Sequence, residues 1–188
     1  MTTPEVPEPP LSLLDRFPVV ARFDAAVDRS WDRLRGNPLA DRVFYTATNA
    51  GEFSAIWHVL GTVSSLGGPH ARARAARLSS ALAVESVLVN QVIKRVVRRA
   101  RPGVDPADRP LRMRQPVTSS FPSGHASSAF LAAGLLTDSP RLRPLAYALA
   151  AVVATSRIHV RIHHASDVVA GAALGTALAA ATRRLRPL

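Results

Sequence analysis

The twelve residues S-R-I-H-V-R-I-H-H-A-S-D, Ser156 to Asp167, set three histidines, two arginines and an aspartate into surroundings otherwise rich in Ala, Val and Leu. A charge or imidazole buried without partners is costly, so such a cluster is either solvated or built to hold something. Two other stretches carry matching chemistry: K-R-V-V-R-R-A-R-P from Lys94 to Pro102, and F-P-S-G-H from Phe121 to His125. Lys94, Arg101 and Arg157 are cations suited to phosphate, arginine through its bidentate fork and lysine as a point charge. Ser123-Gly124 adds a hydroxyl and an unobstructed backbone N–H. His163 and Asp167 are four apart, so on a helix they share a face, and the carboxylate can hold one ring nitrogen protonated while the other attacks phosphorus. The i, i+3 pair His164–Asp167 fits helical geometry as well, and His159 stays open too. His125, from the other turn, has the acid–base character needed to protonate a leaving alkoxide.

These groups need elements to position them. Apolar residues recur every third or fourth position from about Leu11 to Asp41 (Leu14, Phe17, Val20, Phe23, Val27, Trp31, Leu34), an amphipathic helix for a core or a membrane surface. Longer apolar segments run from about Val43 to Leu66 and from about Ala75 to Val97, the second passing into the basic run that Pro102 stops. After a proline-rich loop, three helices are expected over about His125–Thr137, Pro144–Ile158 and Asp167–Ala181. No period-two strand pattern competes with them. The last contains Gly171 and Gly175, a small-xxx-small spacing that permits close helix packing. If consecutive helices run antiparallel, the end of the second, the start of the third, the end of the fourth and the start of the fifth share one side. The basic run, the Ser-Gly-His turn and the His/Arg cluster then converge on one phosphate-sized pocket, where helix N-termini also favour an anion.

The 188 residues suffice for one domain, 11–188, behind an acidic, proline-rich stretch, 1–10, expected to be a disordered tail with no cleavable signal pattern. A net charge of +11 fits an anionic partner: nucleic acid, an anionic lipid surface or a phosphorylated substrate. The absence of cysteine excludes disulfides, zinc–thiolate sites and thiol nucleophiles. Aromatic residues barely interleave with the arginines, which argues against a nucleic-acid surface built on stacking. Arg95, Arg98 and Arg99 are expected to form a solvated or headgroup-facing cluster, His58 and Trp57 to serve packing or an interface, and Glu52, Glu85 and Asn90 to find partners inside the bundle.

Lys94-x6-Arg101-Pro102, Pro122-Ser123-Gly124-His125 and Ser156-Arg157-x5-His163-x3-Asp167 together resemble the three-part signature of the type 2 phosphatidic acid phosphatase superfamily, which also includes vanadium haloperoxidases. The resemblance spans Lys94 to Asp167. It implies an all-α, antiparallel membrane helix bundle of about five to six helices, with the amphipathic helix at its N-terminus. It implies a multi-pass enzyme of the cell membrane that hydrolyses a lipid phosphate (phosphatidate, phosphatidylglycerol phosphate, or a prenyl phosphate or diphosphate) through a phosphohistidine, without metal or other cofactor. His163 would be the nucleophile, Asp167 its orienter and His125 the general acid. Lys94, Arg101, Ser123, Gly124 and Arg157 would bind the phosphate. A soluble acid phosphatase or a vanadate-dependent haloperoxidase would use the same pocket, and a basic nucleic-acid-binding protein is the reading outside enzymes.

Overall fold

The computed structural model describes residues 14–103, 109–114 and 116–185; the expected tail, 1–10, lies outside the described residues. The described residues form eight α-helices and no strand: α1 (Pro18–Trp31), α2 (Pro38–Ala50), α3 (Ala55–Ser64), α4 (Pro69–Val87), α5 (Lys94–Val97), α6 (Gly124–Leu135), α7 (Arg143–His159) and α8 (Ala165–Leu185). A π-helical segment, Leu88–Ile93, joins α4 to α5 without a break. Proline opens α1, α2, α4 and α7, where its fixed φ fits the first turn and its missing N–H is not needed. The Asn37 side chain caps α2, accepting from the N–H groups of Leu39 and Ala40 at 3.0 and 3.1 Å.

The two N-terminal segments divide differently from the expectation. The described part of the amphipathic stretch Leu11–Asp41, from Leu14 on, holds α1 and the start of α2, separated by a turn in which Gly36 adopts φ +81°. The apolar stretch Val43–Leu66 is also two helices, because the chain turns sharply at Gly51–Ser54, with Phe53 and Ser54 at φ 52° and 59°. Gly51 permits that turn: a Cβ there would lie 2.7 Å from His125 Cδ2 and 2.9 Å from Val153 Cγ1. The inner face of α1 is not purely apolar either. Asp24 is buried on it, and Trp31 packs against the core and against Phe44, ring centroids 5.9 Å apart.

The core centres on α6. Leu131, Ala132, Ala133 and Leu135 are fully enclosed by Trp57 of α3, Leu78 and Leu82 of α4, Ala150 and Val153 of α7 and Ala179 of α8. Such small side chains let backbones approach closely. The Gly171–Gly175 pair carries the tightest of these approaches, because Cβ atoms there would run into the carbonyls of Ser123 and Ser127 on α6. At 21 residues α8 is longer than expected, about 32 Å by the rise of an α-helix. Among the described residues it is the one helix long and apolar enough to cross a membrane, with a mean hydropathy of 1.3. Replacing Gly175 by Ala should push α8 off α6 and destabilise the fold by about 1–3 kcal/mol, read as a lower midpoint in thermal unfolding in detergent.

Candidate active site

One cavity of about 480 Å³ opens where α6 and α8 begin and α5 and α7 end. Lys94, Arg101, Gly124, His125, Arg157 and His163 all line it, so the antiparallel topology brings these six expected site residues together. Two others stand behind its wall. Asp167 is completely buried, and Ser123 caps α6, its Oγ accepting from Ala126 N–H at 3.4 Å while its own N–H donates to the Asp167 carbonyl at 3.0 Å. Ser123 therefore sets the turn that presents Gly124 and His125, whose N–H groups have no intrahelical acceptor in the first turn.

The loop carrying His163 is fixed at both ends. Arg161, at φ 50°, closes α7, and the N–H groups of Ile162 and His163 both return to the Arg157 carbonyl at 3.2 Å. Three arginines then bind carbonyls of the last turn and the loop. Arg35 donates to Ile158 at 2.8 Å and His159 at 3.1 Å, Arg109 to Val160, and Arg101 to Ile162 at 2.7 Å. Positive charge at this helix end also complements its dipole.

His163 is not on a helix, because α8 starts two residues later. The pairing with Asp167 survives in another form, with Nδ1 3.6 Å from Asp167 Oδ2 and 3.5 Å from Ser120 Oγ. Arg101 Nη1 lies 3.1 Å from the other ring nitrogen, Nε2. A guanidinium can only donate, so Nε2 must accept; this assigns the ring proton to Nδ1 and leaves Nε2 unprotonated, its lone pair held by Arg101 at the cavity wall. Burial pushes the His163 pKa down to about 3, outweighing the opposing pull of Asp167, so the ring is neutral near pH 7.

Asp167 is held from all sides. Its Oδ1 accepts from Arg99 Nη1 at 2.7 Å, and its Oδ2 from His164 N–H at 2.9 Å and from the Ser120 hydroxyl. The His164 bond is the returning half of a capping box. His164 thus enters through its backbone, which separates it from His163. His159 is separated as well: its Nε2 pairs with Asp41 Oδ1 at 2.8 Å and its ring stacks on Phe44.

The Arg99 guanidinium overturns the expectation of a solvated cluster. It is 3% exposed and also bonds Asp24 Oδ2 of α1 at 2.8 Å, because Asp167 and Asp24 are buried carboxylates that need a counter-charge. Arg95 and Arg98 remain exposed, as expected. Neither Asp24 nor Arg99 was distinguishable from its charged neighbours in the sequence.

On the opposite wall, His125 Nε2 lies between the Thr48 carbonyl at 3.1 Å, which can only accept, and Arg157 Nη1 at 3.3 Å, which can only donate, and burial with the Arg157 charge pushes the pKa of the ring well down. Arg157, 1% exposed, donates from Nη1 to Thr48 Oγ1 at 2.5 Å, and its Nε has no partner among the described residues. Lys94 Nζ is steered by Asn90 Oδ1 at 3.0 Å. Glu52, turned inward by the break at Gly51, approaches His125 Nε2 at 3.6 Å, Arg157 at 3.7 Å and Arg114 at 3.8 Å. The two Trp57/His58 positions also divide: Trp57 is core, while His58 reaches the cavity rim.

An uncharged imidazole with an unprotonated Nε2, a second buried imidazole, and three buried or half-buried cations in one cavity are the groups that phosphoryl transfer requires. The comparisons agree. The model of the PAP2 superfamily matches residues 74–188, and the chain belongs to that superfamily. Decaprenylphosphoryl-5-phosphoribose phosphatase of Mycobacterium tuberculosis is 35% identical over 133 residues, covering 69% of this chain and 71% of that protein. The protein of the same name from Mycolicibacterium smegmatis is 37% identical over 121 residues, covering 64% and 65%. Two crystal structures share the fold at 22% identity. One is the transmembrane PAP2 type phosphatidylglycerolphosphate phosphatase from Bacillus subtilis, with a TM-score of 0.68 over 90% of this chain and 87% of that one. The other is LpxE of Aquifex aeolicus, with 0.72 over 93% and 99%.

In histidine-selective ¹⁵N NMR, His163 should hold the neutral Nδ1–H form from about pH 8 down to about pH 5, where an ordinary histidine has gained its second proton. Titration of His163 near pH 6.5 would contradict the burial and tautomer derived above.

Proposed function

We propose that this PAP2-type lipid phosphate phosphatase hydrolyses the phosphomonoester of a prenyl-linked phosphosugar through a phosphohistidine on His163. One observation carries the chemistry: His163 Nε2, unprotonated and accepting from Arg101, belongs to the cavity that Lys94 and Arg157 also line. Nε2 attacks phosphorus, and the P–O bond to the substrate breaks as the N–P bond forms. His125, as an imidazolium beside Glu52 and the bound phosphate dianion, gives its Nε2 proton to the leaving oxygen and becomes neutral. Water then attacks the phosphohistidine with His125 taking back a proton, the N–P bond breaks, and inorganic phosphate leaves. Lys94, Arg101, Arg157 and the Gly124 turn that Ser123 caps take the charge on the equatorial oxygens, where fixed donors act in a site with little water. Asp167 orients His163 and balances the positive charge that builds on its ring.

The prenyl-linked phosphosugar is supported by the names of the relatives at 35% and 37% identity. Attachment to a membrane through several helices is supported by the apolar outer surface: Val59, Val63 and Leu66 of α3 and its end, Val84 and Val87 of α4, Leu145 of α7 and Val169 of α8 are all more than half exposed. That surface also favours a lipid substrate over the soluble acid phosphatase and haloperoxidase readings.

Protein purified in detergent should release phosphate from a prenyl-linked phosphosugar with EDTA present. His163→Ala should lower kcat by at least about a thousandfold, and Arg157→Ala by about a hundred- to a thousandfold. Lipid-selective release that EDTA abolishes, or that His163→Ala leaves intact, would exclude this mechanism.

A further inference from the structure

The cavity does not end at the phosphate-binding cations. It continues along α4 over Leu82, Ala83, Glu85, Ser86 and Asn90, with Ser128 of α6 facing them. That wall is polar, and Glu85 is its most unusual member, 3% exposed yet lining the cavity. Lys94 supplies charge compensation and Ser127 lies beside the carboxylate, but no described residue donates to Glu85 Oε1. A buried carboxylate oxygen without a donor is expensive, because it loses its water and gains nothing in return. In a pocket built for a phosphate dianion, a carboxylate also repels the ligand. Besides offsetting the charge of Lys94, it suits groups that carry hydrogen-bond donors, and the hydroxyls of a polyol are such groups.

The backbone places it for that use. Nine residues of regular α-helix turn the chain through two and a half revolutions, about 900°, which would put Glu85 and Lys94 on opposite faces. The wider π-helical turn at Leu88–Ile93 undoes part of this rotation, and both side chains line the one cavity. Asn90, between them, bonds Lys94 Nζ through Oδ1 at 3.0 Å and donates through Nδ2 to Ser86 Oγ at 3.3 Å. Cation, amide and carboxylate therefore follow one another along a single wall, away from His163.

We infer that Glu85, with Ser86, Asn90 and Ser128, forms a subsite that takes the hydroxyl groups of a polyol esterified to the scissile phosphate, the Glu85 carboxylate accepting from one of them. This rests on the phosphatase reading above and adds to it the residue that selects the alcohol. A pentose ring and a glycerol unit present the same hydroxyl chemistry, so both enter the test.

Four lipids separate the possibilities: a prenyl-linked ribose 5-phosphate, phosphatidylglycerol phosphate, and, without hydroxyls next to the phosphate, a prenyl phosphate and phosphatidate. Equilibrium binding to His163→Ala protein and kcat/KM of the His163 protein are measured with Glu85 intact, with Glu85→Gln and with Glu85→Leu. The expected result is a preference for one or both hydroxylated lipids that falls about tenfold in each Glu85 variant, in binding as well as in kcat/KM. If the ribose lipid alone loses its preference, the subsite reads a sugar; if phosphatidylglycerol phosphate alone does, it reads glycerol. A ratio of hydroxylated to plain lipid that does not change in Glu85→Gln and Glu85→Leu overturns the subsite and leaves the phosphatase reading standing. Absence of turnover on all four lipids, with the binding ratio still dependent on Glu85, overturns the phosphatase reading and leaves the subsite.

Discussion

The rest of the site depends on the buried charges of Asp167, Arg99 and Asp24. Removing a carboxylate or guanidinium from water costs several kcal/mol in effective terms, so each of these groups must find opposite charge and hydrogen bonds inside the fold. Asp167, at 0% exposure, takes Arg99, the His164 N–H and the Ser120 hydroxyl; Arg99 in turn takes Asp24. These requirements tie four separated pieces of chain together: α1, the end of α5, the loop before α6 and the start of α8. Arg101 lies two residues beyond Arg99, and its guanidinium reaches His163 Nε2 from there. The position of His163 Nε2 is therefore set largely by an ion-pair network in which that atom takes no direct part.

Much of this was legible from residue types and spacing. The helices α6, α7 and α8 lie where apolar runs between breakers placed them, and the Gly171–Gly175 pair packs as its spacing implied. Antiparallel succession was enough to gather the three basic and histidine-bearing stretches at one end. What stayed hidden needed three dimensions. Arg99 sits in a run of basic residues whose local pattern is uniform, and its distant partners Asp24 and Asp167, 75 and 68 positions away, distinguish it from Arg98. The break at Gly51–Ser54 left only Glu52 as a mark on an apolar stretch, and the close passage of His125 and Val153 over Gly51 became visible only in the fold. The π-helical turn at Leu88–Ile93 leaves no mark in hydrophobic period, yet it decides which residues of α4 and α5 share a face.

The same division explains why helix pattern alone left His159, His163 and His164 undecided. The chain leaves α7 through a left-handed residue, Arg161, so that successive histidines point to different surroundings: His159 toward Asp41 and Phe44, His163 into the cavity. A helical template assumes one continuous face across Ser156–Asp167, whereas the structure has two helices and a turn there. Residue spacing was informative about the pair His163–Asp167 even though the geometry behind it is that of a loop meeting a helix start.

Charge balance gives the cavity its working character. Lys94, Arg101 and Arg157 held around one space repel one another, and the low local dielectric makes that repulsion stronger than it is in water. Glu52 and Glu85 offset it from two directions, Glu52 beside Arg157 and Glu85 beside Lys94. In the proposed mechanism a phosphate entering between the cations would replace part of that compensation with its own charge, its affinity moderated by the carboxylates it meets. Moderation of this kind favours turnover, because an interaction equally strong with substrate, transition state and product tightens binding without speeding the reaction. Arg101, the donor at His163 Nε2, would act instead where charge gathers as the N–P bond forms, and there its strength would lower the barrier.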